Sequence, residues 1–337
     1  MIKEAIQSLV DGQSLTMEQA AQVMEEIMDG QVTPAQFGAF VTGLRIKGET
    51  VEEIAGLART MRAKAVRVNA SGSLVDTCGT GGDGAATFNI STTAAFVVAG
   101  TGLKVAKHGN RAMSSKCGSA DVLEALGVKI ELTAQQVEKC LNEVGIGFMF
   151  APAFHPSMKY ASAPRREVGI RTVFNILGPL TNPAGAQAQM LGTADGSLVE
   201  KMARVLASLG SQHVVVVHGE DGLDEITLTG PTRVCELKNG CVTSFTIRPE
   251  DFGLQRCRLD QLRGGTAQEN ATRLREVLTG GEGALRDVVL LNAAAALLAG
   301  DKVDSMKEGI AVAREVVCSG KALAKVDRLI EVTQSFN

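Results

Sequence analysis

The sequence predicts an α/β fold: a mainly parallel central sheet flanked by helices, with a smaller all-helical N-terminal domain. Three observations predict it. Residues 1–66 show helical spacing and helix caps without a strand-like run. From Ser73 onward short apolar runs alternate with helical stretches, the rhythm of βα units in a parallel sheet. The run His213–His218 is apolar throughout its middle, as in a strand buried on both faces. At 337 residues and 45% hydrophobic content, the chain can bury a large core beside a small second one.

In the first 66 residues, Ile2, Ala5, Ile6 and Leu9 fall at helical spacing. Three capped helices follow. Thr16-Met-Glu-Gln19 is a capping-box pattern closed by Gly30. Thr33-Pro34 opens the next, which Gly48 ends. Thr50-Val-Glu-Glu53 opens the last, running to about Lys64. The apolar face of Phe37, Phe40, Val41 and Leu44 reads as core.

Ser73 to Ser119 carries the strongest functional signal. A strand-like run at Leu74-Val75 leads into Gly79, Gly81, Gly82 and Gly84, then Thr87, Asn89, Ser91, Thr92 and Thr93. The helix expected from Asn89–Thr92 turns free N–H groups and a positive dipole end toward the glycines. A second strand, with Leu103 and Val105, ends in Lys107-His-Gly-Asn-Arg111. No acid occurs between Asp83 and Asp121. Glycines that admit close approach, a helix start and cations together make a phosphate site. The spacing of Gly79, Gly81 and Gly84 matches a dinucleotide fingerprint, but the ribose-binding acid expected about 20 residues later is missing. The Walker pattern also fails, because no Gly-Lys-Ser/Thr ends the loop.

Beyond this stretch the sequence predicts a strand at Val128–Ile130, a helix at Thr133–Val144 and a strand at Gly147–Pro152. Residues 153–187 break the rhythm, with Glu167 their only acid. They read as a site loop or a return to the helical domain. The rhythm resumes with Gln189–Thr193, a helix at Leu198–Leu209 and the His213–His218 strand. Four acids follow within Glu220–Glu225. Strands Ile226–Leu237 and Cys241–Ile247 flank the hairpin signal Asn239-Gly240. Helices 266–279, 284–299 and 304–319 close the reading.

The glycine turn, the Lys107–Arg111 run and the acids at 220–225 all follow strands, where open α/β sheets bind ligands. A phosphate cradle facing the Asp224-Glu225 pair is what a magnesium–polyphosphate complex requires. Net charge of −3, one Tyr and no Trp oppose nucleic-acid binding. Seven scattered cysteines without a C-x-x-C pair suggest neither disulfides nor zinc, and fit reduced thiols in the cytoplasm. Neither a signal-peptide core nor an apolar run of about 20 residues is present. His108, His155 and His218 read as packed or capping histidines. Arg171 and Asn175 read as braces between helix and loop, and Cys78 and Cys117 as small buried residues.

These stretches together resemble the anthranilate phosphoribosyltransferase family. The resemblance spans essentially the whole chain. Its most specific segments are 76–84, 87–92, 107–127, 165–183 and the Asp224-Glu225 pair. It implies the nucleoside-phosphorylase-like phosphoribosyltransferase fold. Residues 1–66, joined by helices near 165–185, would form the helical domain. Residues 73–160 and 188–337 would form the catalytic α/β domain. It also implies a homodimer through the helical domain and association with anthranilate synthase components. No fused amidotransferase segment is expected, since the chain starts directly with helices.

The resemblance further implies that 5-phosphoribosyl-1-pyrophosphate is held by Gly79, Gly82, Asp83, Thr87, Asn89, Ser91, Thr92, Lys107, Asn110, Ser115 and Ser119, with Ile90 among the substrate-binding residues. The run His108, Gly109, Asn110, Arg111, Ala112, Met113, Ser114 and Ser115 would complete the substrate walls. Gly79, Asn110 and Arg165 would hold anthranilate, with His108 and the Gly178 turn at the mouth of its pocket. Ser91, Asp224 and Glu225 would bind Mg²⁺. Lys107, Asp83 and Arg165 carry the catalytic roles. The aromatic amine is neutral at pH 7, so a strong general base is unnecessary. Catalysis then rests on positioning and on neutralising pyrophosphate. A pyrimidine-nucleoside phosphorylase of the same fold is the alternative. It would carry a Lys-x-Ser-Gly-Arg motif and lack the acidic pair, and this chain does neither. A nucleic-acid-binding relative is opposed by charge, and a nicotinamide dehydrogenase by the missing ribose acid.

Overall fold

The computed structural model describes residues 1–112 and 116–336. Helices α1 (Ile2–Val10), α2 (Met17–Met28), α3 (Pro34–Lys47) and α4 (Val51–Lys64) form the N-terminal bundle. The capping boxes at Thr16/Gln19, Thr33/Gln36 and Thr50/Glu53 are all formed. Glu53 is fully buried and ion-paired with Lys47 Nζ at 3.0 Å. It also accepts from the N–H groups of Leu15 and Thr50, so the buried charge is fully answered.

The sheet holds seven strands: β1 (Leu74–Gly79), β2 (Lys104–Gly109), β3 (Ile146–Phe150), β4 (Ala188–Gly192), β5 (His213–Gly219), β6 (Thr232–Lys238) and β7 (Cys241–Ile247). Their order is β3-β2-β1-β4-β5-β6-β7. The first five are parallel and the last two form an antiparallel hairpin. Asn239 and Gly240 both take positive φ, as the tight two-residue turn demands. The strand order reverses between β1 and β4, and the crevice at their carboxyl ends is where such sheets bind ligands.

Helices α5 (Ile90–Gly100), α6 (Ser119–Leu126) and α7 (Ala134–Glu143) follow the first strands, and α11 (Val199–Ser208) follows β4. Between them lie α8 (Ala151–Phe154), α9 (Lys159–Val168) and α10 (Phe174–Leu177). The chain closes with α12 (Ala267–Leu278), α13 (Ala284–Ala299), α14 (Met306–Cys318) and α15 (Lys321–Gln334). One face of the sheet buries α5 and α13. The other is covered by α11, in an apolar cluster that runs on into the bundle through Phe37, Leu57, Leu206 and Val214. Among the described residues, no helix is long and apolar enough to cross a membrane.

Three expectations need correction. Val128–Ile130 is not a strand. Both flanking side chains are buried, but the Lys129 N–H bonds the Thr333 hydroxyl on α15 rather than a neighbouring strand. Helix α15 itself is additional to the helices expected; Gly320 in the left-handed region separates it from α14. The strand expected from Ile226 begins only at Thr232, because the N–H and carbonyl of Ile226 pair with the Asn292 side chain on α13. Smaller differences also occur: β3 ends at Phe150, and Pro152 lies in α8. Residues 153–187 are largely short helices. Ala161, Val173, Phe174, Leu177 and Leu180 join the bundle's apolar cluster, with the Phe174 ring 5.2 Å from Phe37.

Candidate active site

β1 delivers Gly79 into a loop that α5 ends, and two glycines make room beneath it. Gly79 pairs with Gly192 across β1 and β4. A Cβ on Gly79 would lie 2.2 Å from Asp224 Oδ2, and one on Gly192 1.6 Å from the Asp224 carbonyl. The bare glycine pair therefore lets the acidic turn after β5 lie across the strand ends. Gly81 N–H then donates to Asp224 Oδ2 at 2.6 Å, and Ser91 N–H at the start of α5 donates to Glu225 Oε1 at 3.2 Å. On the far side, 86–88 is laced to 262–264 by Gly264 N–H to Ala86 O and Phe88 N–H to Leu262 O.

The loop, the ends of β1 and β2 and the acidic turn enclose a cavity of about 560 Å³. Its lining includes Gly79, Gly82, Asp83, Thr87, Asn89, Ile90, Ser91, Thr92, Lys107, His108, Gly109, Asn110, Arg111, Ala112, Ser119, Arg165, Asp224 and Glu225. The expectations for Met113, Ser114 and Ser115 fall outside the described residues. Ile90 and Thr92 have buried side chains, so they meet the cavity mainly through backbone. Asn89 is a brace: its side chain donates to Cys117 O and accepts from Asn270 Nδ2. Arg111 lines the cavity but is ion-paired with Asp121 and Glu124 on α6. Ser119 Oγ donates to Asn110 O, and Ala112 N–H to Asp121.

Electrostatics concentrate at the crevice. Burial pushes Asp224 up to about 6, helped by the nearby Asp83 carboxylate. Burial and the Asp224 charge push Glu225 well above the usual carboxylate range, against the pull of Lys107. Glu225 Oε2 is buried without a partner among the described residues. Lys107 is 3% exposed, with its ammonium on the Thr77 carbonyl and 3.5 Å from Ser91 Oγ. Burial lowers its pKa, while Asp76 nearby opposes the fall. Asp76 is buried in turn; it accepts from Asn182 Nδ2 at 2.8 Å and from His108 N–H. Acids that resist ionisation and one orphaned carboxylate oxygen fit a cation. Among the described residues no three His, Cys, Asp or Glu side chains make a closed metal cage. That suits Mg²⁺, which takes one or two carboxylates and fills its shell with phosphate and water.

A second cavity, of about 810 Å³, adjoins the first and shares His108, Asn110 and Arg165 with it. Pro152, His155, Gly169, Phe174 and Gly178 add apolar or neutral wall. The Arg165 guanidinium sits 5.9 Å from the Phe174 ring and has no ion pair among the described residues. His108 and His155 are both buried, with ring centroids 5.1 Å apart. Burial lowers His108 to about 3 and His155 to about 4, so both are neutral at pH 7. His218 lies elsewhere, bonded to Thr193 O.

Folded pKa values below 6.5 mean that the unfolded chain binds more protons as acid is added. The histidine pair's contribution to stability is therefore full above pH 6.5 and lost as pH falls toward 4. Between pH 6.5 and 5 the loss is about 2 kcal/mol for each histidine. Urea unfolding at pH 7 and pH 5 is expected to show this fall in the native chain, and a smaller one in the His108→Asn/His155→Asn variant.

The structure also brings in residues not picked out as site residues in the sequence: Asp76, Asn182, Gly192 and Asn270. Asp76 lies inside the 76–84 segment, where its carboxyl beside a lysine-bearing strand was the available signal. The other three act across long sequence separations and carry no local signature.

Comparison with known proteins places the chain. The profile of the glycosyl transferase family a/b domain matches residues 71–323, and that of the family's helical bundle domain matches residues 3–65. Anthranilate phosphoribosyltransferase of Dehalococcoides mccartyi is 58% identical over 338 residues, covering 100% of this chain and 99% of that protein. The Moorella thermoacetica enzyme is 55% identical, covering 100% and 99%. The crystal structure of the Thermus thermophilus enzyme matches with TM-score 0.94 and 44% identity over 98% of this chain and 99% of that one. The Saccharomyces cerevisiae enzyme in complex with 5-phosphoribosyl-1-pyrophosphate and Mg matches at 0.91 and 30%, covering 99% and 98%. With likeness running the full length of both sequence and fold, the chain belongs to the anthranilate phosphoribosyltransferase family, the enzymes that transfer a phosphoribosyl group to the amino group of anthranilate.

Proposed function

We propose that the smaller cavity takes 5-phosphoribosyl-1-pyrophosphate together with Mg²⁺, and that the larger one takes anthranilate. The observation that carries this is the crevice between β1 and β4. A glycine turn with free N–H groups faces a half-buried carboxylate, Asp224, and a buried one, Glu225, which has an oxygen without a partner among the described residues. Ser91, Asp224 and Glu225 would hold the metal. Bound there, Mg²⁺ would neutralise charge gathering on the departing pyrophosphate. The S. cerevisiae enzyme's complexes with 5-phosphoribosyl-1-pyrophosphate and Mg, and with 4-fluoroanthranilate, support the choice of ligands.

The chain's own residues then bind and orient. The Gly79–Asp83 turn presents N–H groups to the diphosphate, as anion sites at helix starts do. Lys107 supplies a fixed cation that a developing anion does not have to reorganise. Arg165, facing both cavities, pairs with the anthranilate carboxylate in a fork and aims the amine at the ribose C1. Neutral His108 and His155 leave that amine uncharged and nucleophilic.

Loss of anthranilate fluorescence in a mixture of protein, Mg²⁺, anthranilate and 5-phosphoribosyl-1-pyrophosphate tests the activity. Arg165→Ala tests the placement. The KM for anthranilate is expected to rise about 10- to 100-fold, as a lost charge-assisted bond implies, and the KM for the sugar far less. An unchanged anthranilate KM removes Arg165 from the acceptor site. We further read the protein as a cytoplasmic homodimer through its helical bundle, with anthranilate synthase components as associated partners. Exposed Val10 and Ile46 on α1 and α3 supply apolar surface for the dimer.

A further inference from the structure

We infer that Arg171 is a positioning residue for the transfer reaction, acting through the peptide groups of the Gly81–Gly82 turn. It lies in the link 169–173 between α9 and α10, so the link that walls the acceptor cavity with Gly169 and Ile170 also reaches the glycine turn. Its Nη1 donates to Gly82 O at 2.7 Å and its Nη2 to Gly81 O at 3.2 Å. One planar fork thus holds two consecutive carbonyls.

That grip decides where the N–H groups go. In a trans peptide the carbonyl and the N–H point in opposite directions, and the described chain contains no cis peptide bond. With both carbonyls drawn to Arg171, the N–H groups of Gly82 and Asp83 turn away from the guanidinium. They are then donors for an anion instead of being opposed by the arginine. The turn is anchored on its other side by Gly81 N–H on Asp224 Oδ2 at 2.6 Å. Gly81 and Gly82 have φ of +70° and +75°, which glycine adopts freely and leaves freely. A segment this pliable needs an external clasp to hold one conformation. The contact is close: a Cβ on Gly82 would sit 2.3 Å from Nη1. Lysine cannot replace it, since a single ammonium on a flexible stem lacks the fork.

The inference rests on the reading of this turn as the diphosphate cradle, and the test separates the two. Arg171→Ala and Arg171→Lys are compared with the native enzyme. Hydrogen exchange of ligand-free protein is expected to speed up in the alanine variant at the Thr80 and Gly81 amides, which bond Gly192 O and Asp224 Oδ2 in the native turn, with the melting temperature and core exchange unchanged. Steady-state kinetics are expected to show the KM for 5-phosphoribosyl-1-pyrophosphate raised about tenfold, and that for anthranilate by less than about threefold. The lysine variant is expected to resemble the alanine one, and added guanidinium ion to lower the alanine variant's KM again. Native-like exchange overturns the inference, because a raised KM alone would mean that Arg171 touches the substrate directly. Faster exchange with an unchanged sugar KM also overturns it, and removes the diphosphate from this turn as well. A lysine variant with native exchange and native KM overturns the fork argument.

Discussion

Replacing Asp224 by Asn together with Glu225 by Gln is expected to lower Mg²⁺-dependent turnover at least about a thousandfold. Both changes keep size and shape, and an amide oxygen can still accept from Gly81 N–H and Ser91 N–H. The glycine turn should therefore stay in place while the negative charge goes. Stability moves the other way. Both acids have folded-state pKa values raised by burial, Asp224 from 3.8 to about 6. A raised acid binds its proton more tightly in the folded state. Its stabilising contribution is full below the unfolded value and is lost as pH rises through the folded one. At pH 8 the metal-free native protein has lost it, whereas the amide variant carries no such charge. The metal-free variant is thus expected to be more stable than the native chain at pH 8, by on the order of 2 kcal/mol after allowing for solvent screening. That advantage should shrink toward pH 4. Mg²⁺ should raise the native melting temperature at pH 8 and leave the variant's unmoved. Near-native rates at ordinary Mg²⁺ would remove the pair from the metal site.

The parts of this site that were legible in the sequence are those whose chemistry is local. Capping boxes at Thr16, Thr33 and Thr50 announce themselves within four residues, as does the Asn239-Gly240 hairpin. The glycines at 79–84 and the acid-free stretch to Asp121 likewise need no partner to be noticed. What stayed hidden depends on register and distance. Gly192 looks like an ordinary strand end until β4 sets it beside Gly79, under Asp224. Val128–Ile130 has the composition of a strand, but the backbone partner at that place is a helix more than two hundred residues later. Arg171 could be read as a brace, but its two carbonyl acceptors could not be named. Burial is equally non-local: the histidines' neutrality follows from their enclosure at the ends of β2 and α8, which outweighs the opposing pull of the Gly178 and Thr181 backbone.

Lys107→Met is expected to reduce kcat about a thousandfold, the scale seen when a preorganised charge-stabilising group is removed. The substitution fits the slot, since methionine is unbranched and apolar like the lysine stem. What disappears is the ammonium held between Thr77 O and Ser91 Oγ, within the fields of Asp76 and Glu225. Two consequences have to be separated. Without the cation, Asp76 remains buried against Asn182 with its charge uncompensated, which costs stability and could lower activity indirectly. The variant Lys107→Met/Asp76→Asn removes that burden: the asparagine keeps an acceptor for Asn182 and carries no charge. Its melting temperature is expected to return most of the way to the native value, while kcat stays low. If the double variant recovers activity along with stability, Lys107 serves only to neutralise Asp76. If stability returns and activity does not, the ammonium acts on the departing pyrophosphate itself. The second outcome is expected, because Lys107 sits at the carboxyl end of β2, beside the start of α5, where the sheet's reversal opens the crevice.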